Sequence, residues 1–209
     1  MDFAAARKVM VDSQVRVNDV TDRALQAALL AVPRERFVPA DRAFSAYGDL
    51  EPEIAAGRKL MLPRDLSKLL MALQVQAGET VLALAAPYAG AVLARMGATV
   101  TAQESQSAVF EVVGSTLAEE GVSTVVGALN APQGQGYDVI VSEAAVPGRP
   151  EAWLAALKPG GRMAVVERTG PVGKAVLYVK GKDGVSRREL FDAMPPVLAE
   201  LAPEPTFAL

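Results

Sequence analysis

Neither cysteine nor histidine occurs among the 209 residues. The first absence removes disulfides, thiolate nucleophiles and thiolate metal ligands. The second removes Ser-His-Asp and Cys-His catalysis and, with the first, strips zinc of its usual ligands. Aromatic residues make up only 5% of the chain and there is one tryptophan, Trp153. It reads as a packing residue on a short helix. The start, Met1-Asp2-Phe3-Ala4-Ala5-Ala6-Arg7-Lys8, carries an early acid and lacks the apolar stretch of a leader. The most apolar segment, Val81 to Ala94, is shorter than a membrane span and contains Pro87. A cytoplasmic protein without membrane contact is the expectation. Charge of neither sign dominates, since 21 Lys and Arg stand against 24 Asp and Glu, and the basic residues are scattered. No nucleic-acid footprint follows from that. Any chemistry must use carboxylates, hydroxyls, lysine, backbone groups or a cofactor.

What is present is a chain 51% hydrophobic, ample for a packed core and for about one domain of ordinary size. Thr21 or Asp22 can cap a helix whose face is Leu25, Ala28, Leu29 and Val32. Pro33 and Pro39 break it, and a loop-rich stretch runs from Tyr47 to Pro63. Pro63 opens a second helix striped by Leu66, Leu69, Leu70 and Leu73, which Gly78 should end. Residues 1–77 therefore read as a helical region. From 78 to 209 the rhythm becomes strand then helix. Strands are expected at Val81–Leu84, Ala98–Ala102, Val122–Val126, Tyr137–Ser142 and Arg162–Glu167. Helices fall at Ala89–Met96, Gln106–Glu120 and Glu151–Leu157, with a turn at Lys158–Gly161. A closing hairpin joins Lys174–Lys180 to Val185–Phe191. This alternation predicts a doubly wound α/β sheet, mostly parallel with an antiparallel edge.

Ligands of such sheets bind beyond the carboxyl ends of the strands. The first loop there holds Ala85, Ala86, Pro87, Tyr88 and Gly90. A cofactor loop needs glycines for close backbone approach, and this one has a single glycine and a proline that removes a donor. It reads as a structural turn or an unusual cofactor loop. Glu104, with Ser105 beside it, stands where a carboxylate can take two ribose hydroxyls, or is a solvated charge. Gly127-Ala128-Leu129-Asn130 follows the third strand, with only Asn130 polar in its side chain. Glu143 is a pocket carboxylate or a surface charge. Asp138, at the opposite end, reads as structural.

Several segments together resemble the protein-L-isoaspartate O-methyltransferase family, in its alphaproteobacterial branch. They are Met10-Val11-Asp12-Ser13-Gln14-Val15-Arg16, Val32-Pro33-Arg34-Glu35-Arg36-Phe37-Val38-Pro39, Ala46-Tyr47, Gly57-Arg58 and Pro63. Further on come Tyr137-Asp138-Val139-Ile140-Val141, Leu157-Lys158-Pro159-Gly160-Gly161-Arg162 and Arg188-Glu189-Leu190-Phe191-Asp192. The resemblance implies an S-adenosylmethionine-dependent methyltransferase (Rossmann-like) fold with an added N-terminal helical region. It implies methyl esterification of the isoaspartate carboxylate in damaged proteins as the activity. Neither His nor Cys is needed for that, because the substrate carboxylate is the nucleophile and the sulfonium is already activated.

By the same resemblance, the cofactor would meet Ala85, Ala86, Tyr88, Gly90, Glu104, Ser105, Ala128, Leu129 and Glu143. Lys59 and Met61 occupy the substrate segment. The departures cluster at these places. Ala83 replaces an acid, and the glycine loop keeps only Gly90. Lys59 and Met61 stand where Thr and Ser belong, and Ala128 stands for the adenine-binding acid. Three functions are therefore weighed. The first is a member with lost or altered methyl transfer, acting by binding a protein partner or another ligand. The second is an active carboxyl methyltransferase on isoaspartyl proteins. The third is a nucleotide binder of another class.

Overall fold

A computed structural model describes residues 1–202. Helix α1 (Phe3–Met10) starts at Asp2, whose carboxylate accepts the Ala5 N–H, and runs on through a π turn, Val11–Val15, and a 3-10 turn, Arg16–Asn18. Helix α2 (Arg23–Ala31) is capped by Asp22, which accepts the Leu25 N–H, and buries Leu25, Ala28 and Leu29. After Pro33 the chain takes 3-10 turns at Arg34–Phe37 and Ala40–Ser45.

The region is not wholly helical. Strands β1 (Glu53–Ala55) and β2 (Arg58–Lys59) pair antiparallel inside the stretch expected as loop. Ala56 and Gly57 join them with φ of 50° and 77°, the two-residue turn whose twist suits a hairpin. Helix α3 (Pro63–Leu73) buries its leucine stripe as expected. It ends at Gln74, which takes the left-handed cap conformation, four residues before Gly78.

The rest is β3 (Thr80–Leu84), α4 (Pro87–Arg95), β4 (Thr99–Glu104), α5 (Ser107–Glu119), β5 (Ser123–Val126), β6 (Tyr137–Val146), α6 (Glu151–Ala156), β7 (Leu157–Glu167), β8 (Gly173–Lys180) and β9 (Val185–Ala193). The sheet order is β5-β4-β3-β6-β7-β8-β9. The first five strands are parallel, and β8 and β9 add an antiparallel edge. The expected architecture is the one observed. Its switch point lies between β3 and β6.

Two boundaries matter for the site. Strand β6 runs four residues past Ser142, with a register shift between Val141 and Ala145, so Glu143 lies inside a bulged strand rather than after it. Residues Lys158–Gly161 are a bulge of β7 rather than a free turn, because Tyr137 and Val139 of β6 pair across them with Leu157 and Arg162. One hydrophobic cluster runs from Met10, Leu29 and Phe37 through Tyr88 and Val92 to Val81 and Val109. The N-terminal region thus shares its core with one face of the sheet. Among the described residues no helix is long and apolar enough to cross a membrane.

Candidate functional site

The first loop is tight rather than open. Ala85 has φ +50°, a left-handed conformation that costs an L-residue roughly 1–2 kcal/mol. Its N–H donates to the Gln103 carbonyl at 3.0 Å. Pro87 opens α4 directly, two residues earlier than expected. Gly90 serves packing: a Cβ there would stand 3.2 Å from the Ala83 Cβ. Ala83, Ala85, Ala86 and Tyr88 are all buried.

Tyr88 turns away from the loop toward the N-terminal layer. Its ring lies edge-on to Phe37 at 5.2 Å, and the Arg34 guanidinium stacks over it at 4.7 Å. Burial pushes the Tyr88 hydroxyl pKa up to about 12. Arg34 is fully buried and donates to the Ala46 and Met61 carbonyls at 2.8 and 2.6 Å. Among the described residues its Nη1 and the Tyr88 hydroxyl have no hydrogen-bond partner.

Glu143 is buried, not the surface charge that the sequence also allowed. It accepts the Ala89 N–H at 2.8 Å and the Met61 N–H at 3.3 Å. Ala86 has no polar side chain with which to cap α4, so the carboxyl group of Glu143 in β6 does so instead. Burial raises the Glu143 pKa; its hydrogen bonds and the nearby Arg34 act in the opposite direction. Burial likewise lowers that of Arg34.

Glu104 is the last residue of β4 and is 2% exposed. Both of its oxygens are engaged. Arg58, delivered by the β1–β2 hairpin, donates Nε and Nη2 to them at 2.8 and 2.7 Å. The Ser105 N–H adds a bond at 2.8 Å. The neighbouring Gln103 holds the loop after β5, donating to the Ala128 and Ala131 carbonyls and accepting from the Gln133 N–H. Ala128 itself is exposed, whereas Leu129 is buried and its carbonyl accepts the Trp153 indole N–H at 2.6 Å.

A strap from the end of the described chain lies over this edge. Ala145 donates to Pro196 and accepts from Leu198, at 2.9 and 2.8 Å. Between strap, hairpin and Glu143 only about 20 Å³ is left, room for a single water. Lys59 and Met61 both line that remnant, Lys59 exposed at its side chain and Met61 in the core.

Relatives share this frame. Residues 6–190 match the family model described as Protein-L-isoaspartate(D-aspartate) O-methyltransferase. The chain belongs to that family. A protein-L-isoaspartate O-methyltransferase of Methylorubrum extorquens (strain PA1) is 38% identical over 200 residues, covering 93% of this chain and 87% of its own. One from Methylorubrum populi is 35% identical over 91% of this chain and 92% of its own. Among solved structures, a putative protein-L-isoaspartate O-methyltransferase from Plasmodium falciparum, in complex with S-adenosyl-L-homocysteine, superposes with TM-score 0.80 at 15% identity. It covers 93% of this chain and 98% of that one, and the likeness is one of fold.

Within this family frame, the residues singled out in the sequence converge in part. Lys59, Met61 and Glu143 line one small cavity with Arg58, whose partner is Glu104 with Ser105 beside it. Ala85 and Ala86 form the buried turn after β3, while Tyr88 packs on Phe37 and Gly90 on Ala83. Ala128 and Leu129 follow β5, the one exposed and the other buried. The sequence suggested no site role for Arg58, Arg34, Gln103 or the strap, although Arg34 and Gly57-Arg58 lie in segments that carry the family resemblance.

Proposed function

We propose that this chain is a family member that has given up S-adenosylmethionine-dependent carboxyl methyl transfer and acts by binding, with a protein as its partner. The observation that carries this reading is the buried Arg58–Glu104 pair, 8% and 2% exposed at its side chains. The cofactor implied by the family needs Glu104 for its ribose, a yielding backbone after β3 and a polar group for adenine. In the arrangement described, the first is spent on Arg58, the second is a buried Ala85-Ala86-Pro87 turn, and Ala128 stands for the third. These residues do not fit the cofactor. Freeing Glu104 would break a bidentate pair and leave the buried Arg58 to Glu200, at about 1.5–3 kcal/mol for each charge-assisted hydrogen bond lost, or roughly one to two orders of magnitude in Kd apiece. Calorimetric titration of the full chain with S-adenosylmethionine tests the reading. No saturable binding is expected, and micromolar binding would sink it. A cytoplasmic setting belongs to the same proposal.

A second reading, an active carboxyl methyltransferase on isoaspartyl proteins, has a specific support. The relatives carrying that name match nearly the whole chain, and Glu104 still ends β4. Methyl incorporation from S-adenosylmethionine into an isoaspartyl peptide is its assay; a null result at high enzyme and cofactor concentration removes it. The nucleotide-binding alternative loses its anchor, because Glu143 already occupies the N-terminus of α4 where phosphate would sit.

A further inference from the structure

Arg58 and Ser105 hold two carboxylates, and only one of them belongs to the sheet. The other is Glu200, from the 3-10 turn Ala199–Leu201 near the end of the described chain. Its Oε1 accepts from Arg58 Nη2 at 2.9 Å and from Ser105 Oγ at 2.7 Å. Burial pushes the Glu200 carboxyl up. Hydrogen bonds from the backbone, Ser105 and Arg58 outweigh burial and hold it below its ordinary range.

The pairing of Arg58 with Glu104 fixes the guanidinium plane, so Nη2 is presented to Glu200 in a set direction. The segment that brings Glu200 there is bound as a peptide would be. Val197 bridges Ala145 in parallel, with hydrogen bonds from Ala145 to Pro196 and from Leu198 to Ala145. Beyond Glu200, Leu201 lines a cavity of about 390 Å³ with Asn130, Arg149 and Trp153. The cavity is far larger than one leucine side chain needs. Glu200 stays 30% exposed, against 8% for Arg58. Arg58 is buried and Ser105 half-buried, while the occupant Glu200 lies further out.

We propose that Arg58 and Ser105 form a carboxylate cradle in a peptide groove. Its ligand class is an extended segment of a partner protein with an acidic residue followed by an apolar one, and Glu200 and Leu201 are the occupant in cis. Backbone pairing along Ala145 supplies the strand-like register, the cradle reads the acid, and the cavity reads the following side chain. The inference rests on the reading that the cleft holds no cofactor, and the two fail separately. Cofactor titration decides the first and peptide titration the second.

The probe is the acetylated, amidated peptide Pro-Val-Leu-Ala-Glu-Leu-Ala, a copy of the strap, added to full-length protein labelled with ¹⁵N. The Arg58 side-chain Nε resonance and the peptide Kd are read together. In Glu200→Gln the cis carboxylate is gone, and the peptide should bind at least about tenfold more tightly than to the unaltered chain, the worth of one charge-assisted hydrogen bond. Saturation should return the Arg58 signal to its position in the unaltered chain. A peptide with Gln in place of Glu should show neither effect, and Ser105→Ala in the Glu200→Gln background should weaken binding several-fold. Absence of saturable binding to Glu200→Gln, equal binding by the unaltered chain, or equal binding of the Gln peptide would each overturn the proposal.

Discussion

The two ends of the same sheet handle charge in opposite ways. At the carboxyl end, Arg58–Glu104 and the Arg34–Glu143 neighbourhood are buried. At the amino end, Asp138 accepts from the Thr80 N–H and hydroxyl and pairs with Lys158, while Arg162 holds Glu79; these groups keep contact with solvent. The amino end is ordinary scaffolding, in which charges satisfy strand termini without leaving water. The carboxyl end, where a ligand of this fold belongs, has sunk its charges into the core. Buried pairs give little net stability when intact and cost heavily when split. The contrast therefore separates an end that tolerates change from one that is locked.

The largest effect should come from splitting the locked pair. Arg58→Met leaves Glu104 buried without a cation, and a loss of about 3–5 kcal/mol is expected in urea unfolding. Adding Glu104→Leu should recover most of it. A loss under about 1 kcal/mol for Arg58→Met would erase the difference between the two ends.

Glu143 sharpens the same comparison through pH. Its folded pKa is raised by burial, so the folded state holds the proton more tightly than the unfolded chain. Stability is therefore lost as pH rises from the ordinary carboxyl range through the raised value. Glu143→Gln should abolish that part of the pH profile, measured by unfolding at a series of pH values.

Asp138, at the open end, runs the other way. Hydrogen bonding to Lys158 and Thr80 holds its pKa down to about 2. Its contribution is present above the ordinary carboxyl range and disappears as pH falls toward 2. Asp138→Asn should cost about 1–2 kcal/mol at neutral pH. The gap to the unaltered chain should close in acid.

The smallest effect concerns Ala85. Relief of its left-handed strain should make Ala85→Gly neutral or stabilising by up to about 1 kcal/mol in the same urea assay. A clear destabilisation would mean that the Ala85 methyl matters more to the closed loop than its backbone strain.

Much of the fold was legible because it follows local rules. The leucine stripe from Leu66 to Leu73, the short apolar run at Val81 and the Gly-Lys-Asp-Gly hairpin turn each stand where periodicity and turn chemistry put them. Errors fell at boundaries where tertiary pairing wins: β6 continues through Glu143 because β7 and the strap give it partners, and α3 stops at Gln74 without a glycine. For the site, the sequence located the switch-point loops and named Glu104 and Glu143. It could not tell a solvated carboxylate from a buried one, since burial depends on what covers it. For Glu104 the cover is Arg58, 46 residues earlier in the chain, and a strap more than 90 residues later. No spacing rule links such distant segments.

The capping of α4 by Glu143 has one more consequence. A doubly wound sheet with a bare helix end is a general collector of phosphates, and a cell is crowded with nucleotides. Here the positive end of α4 meets a carboxylate supplied by its own sheet at 2.8 Å. An approaching phosphate would find the Ala89 N–H already taken by a buried carboxyl group. On the proposed reading, this internal cap is one more reason for the cleft to take no phosphate-bearing ligand.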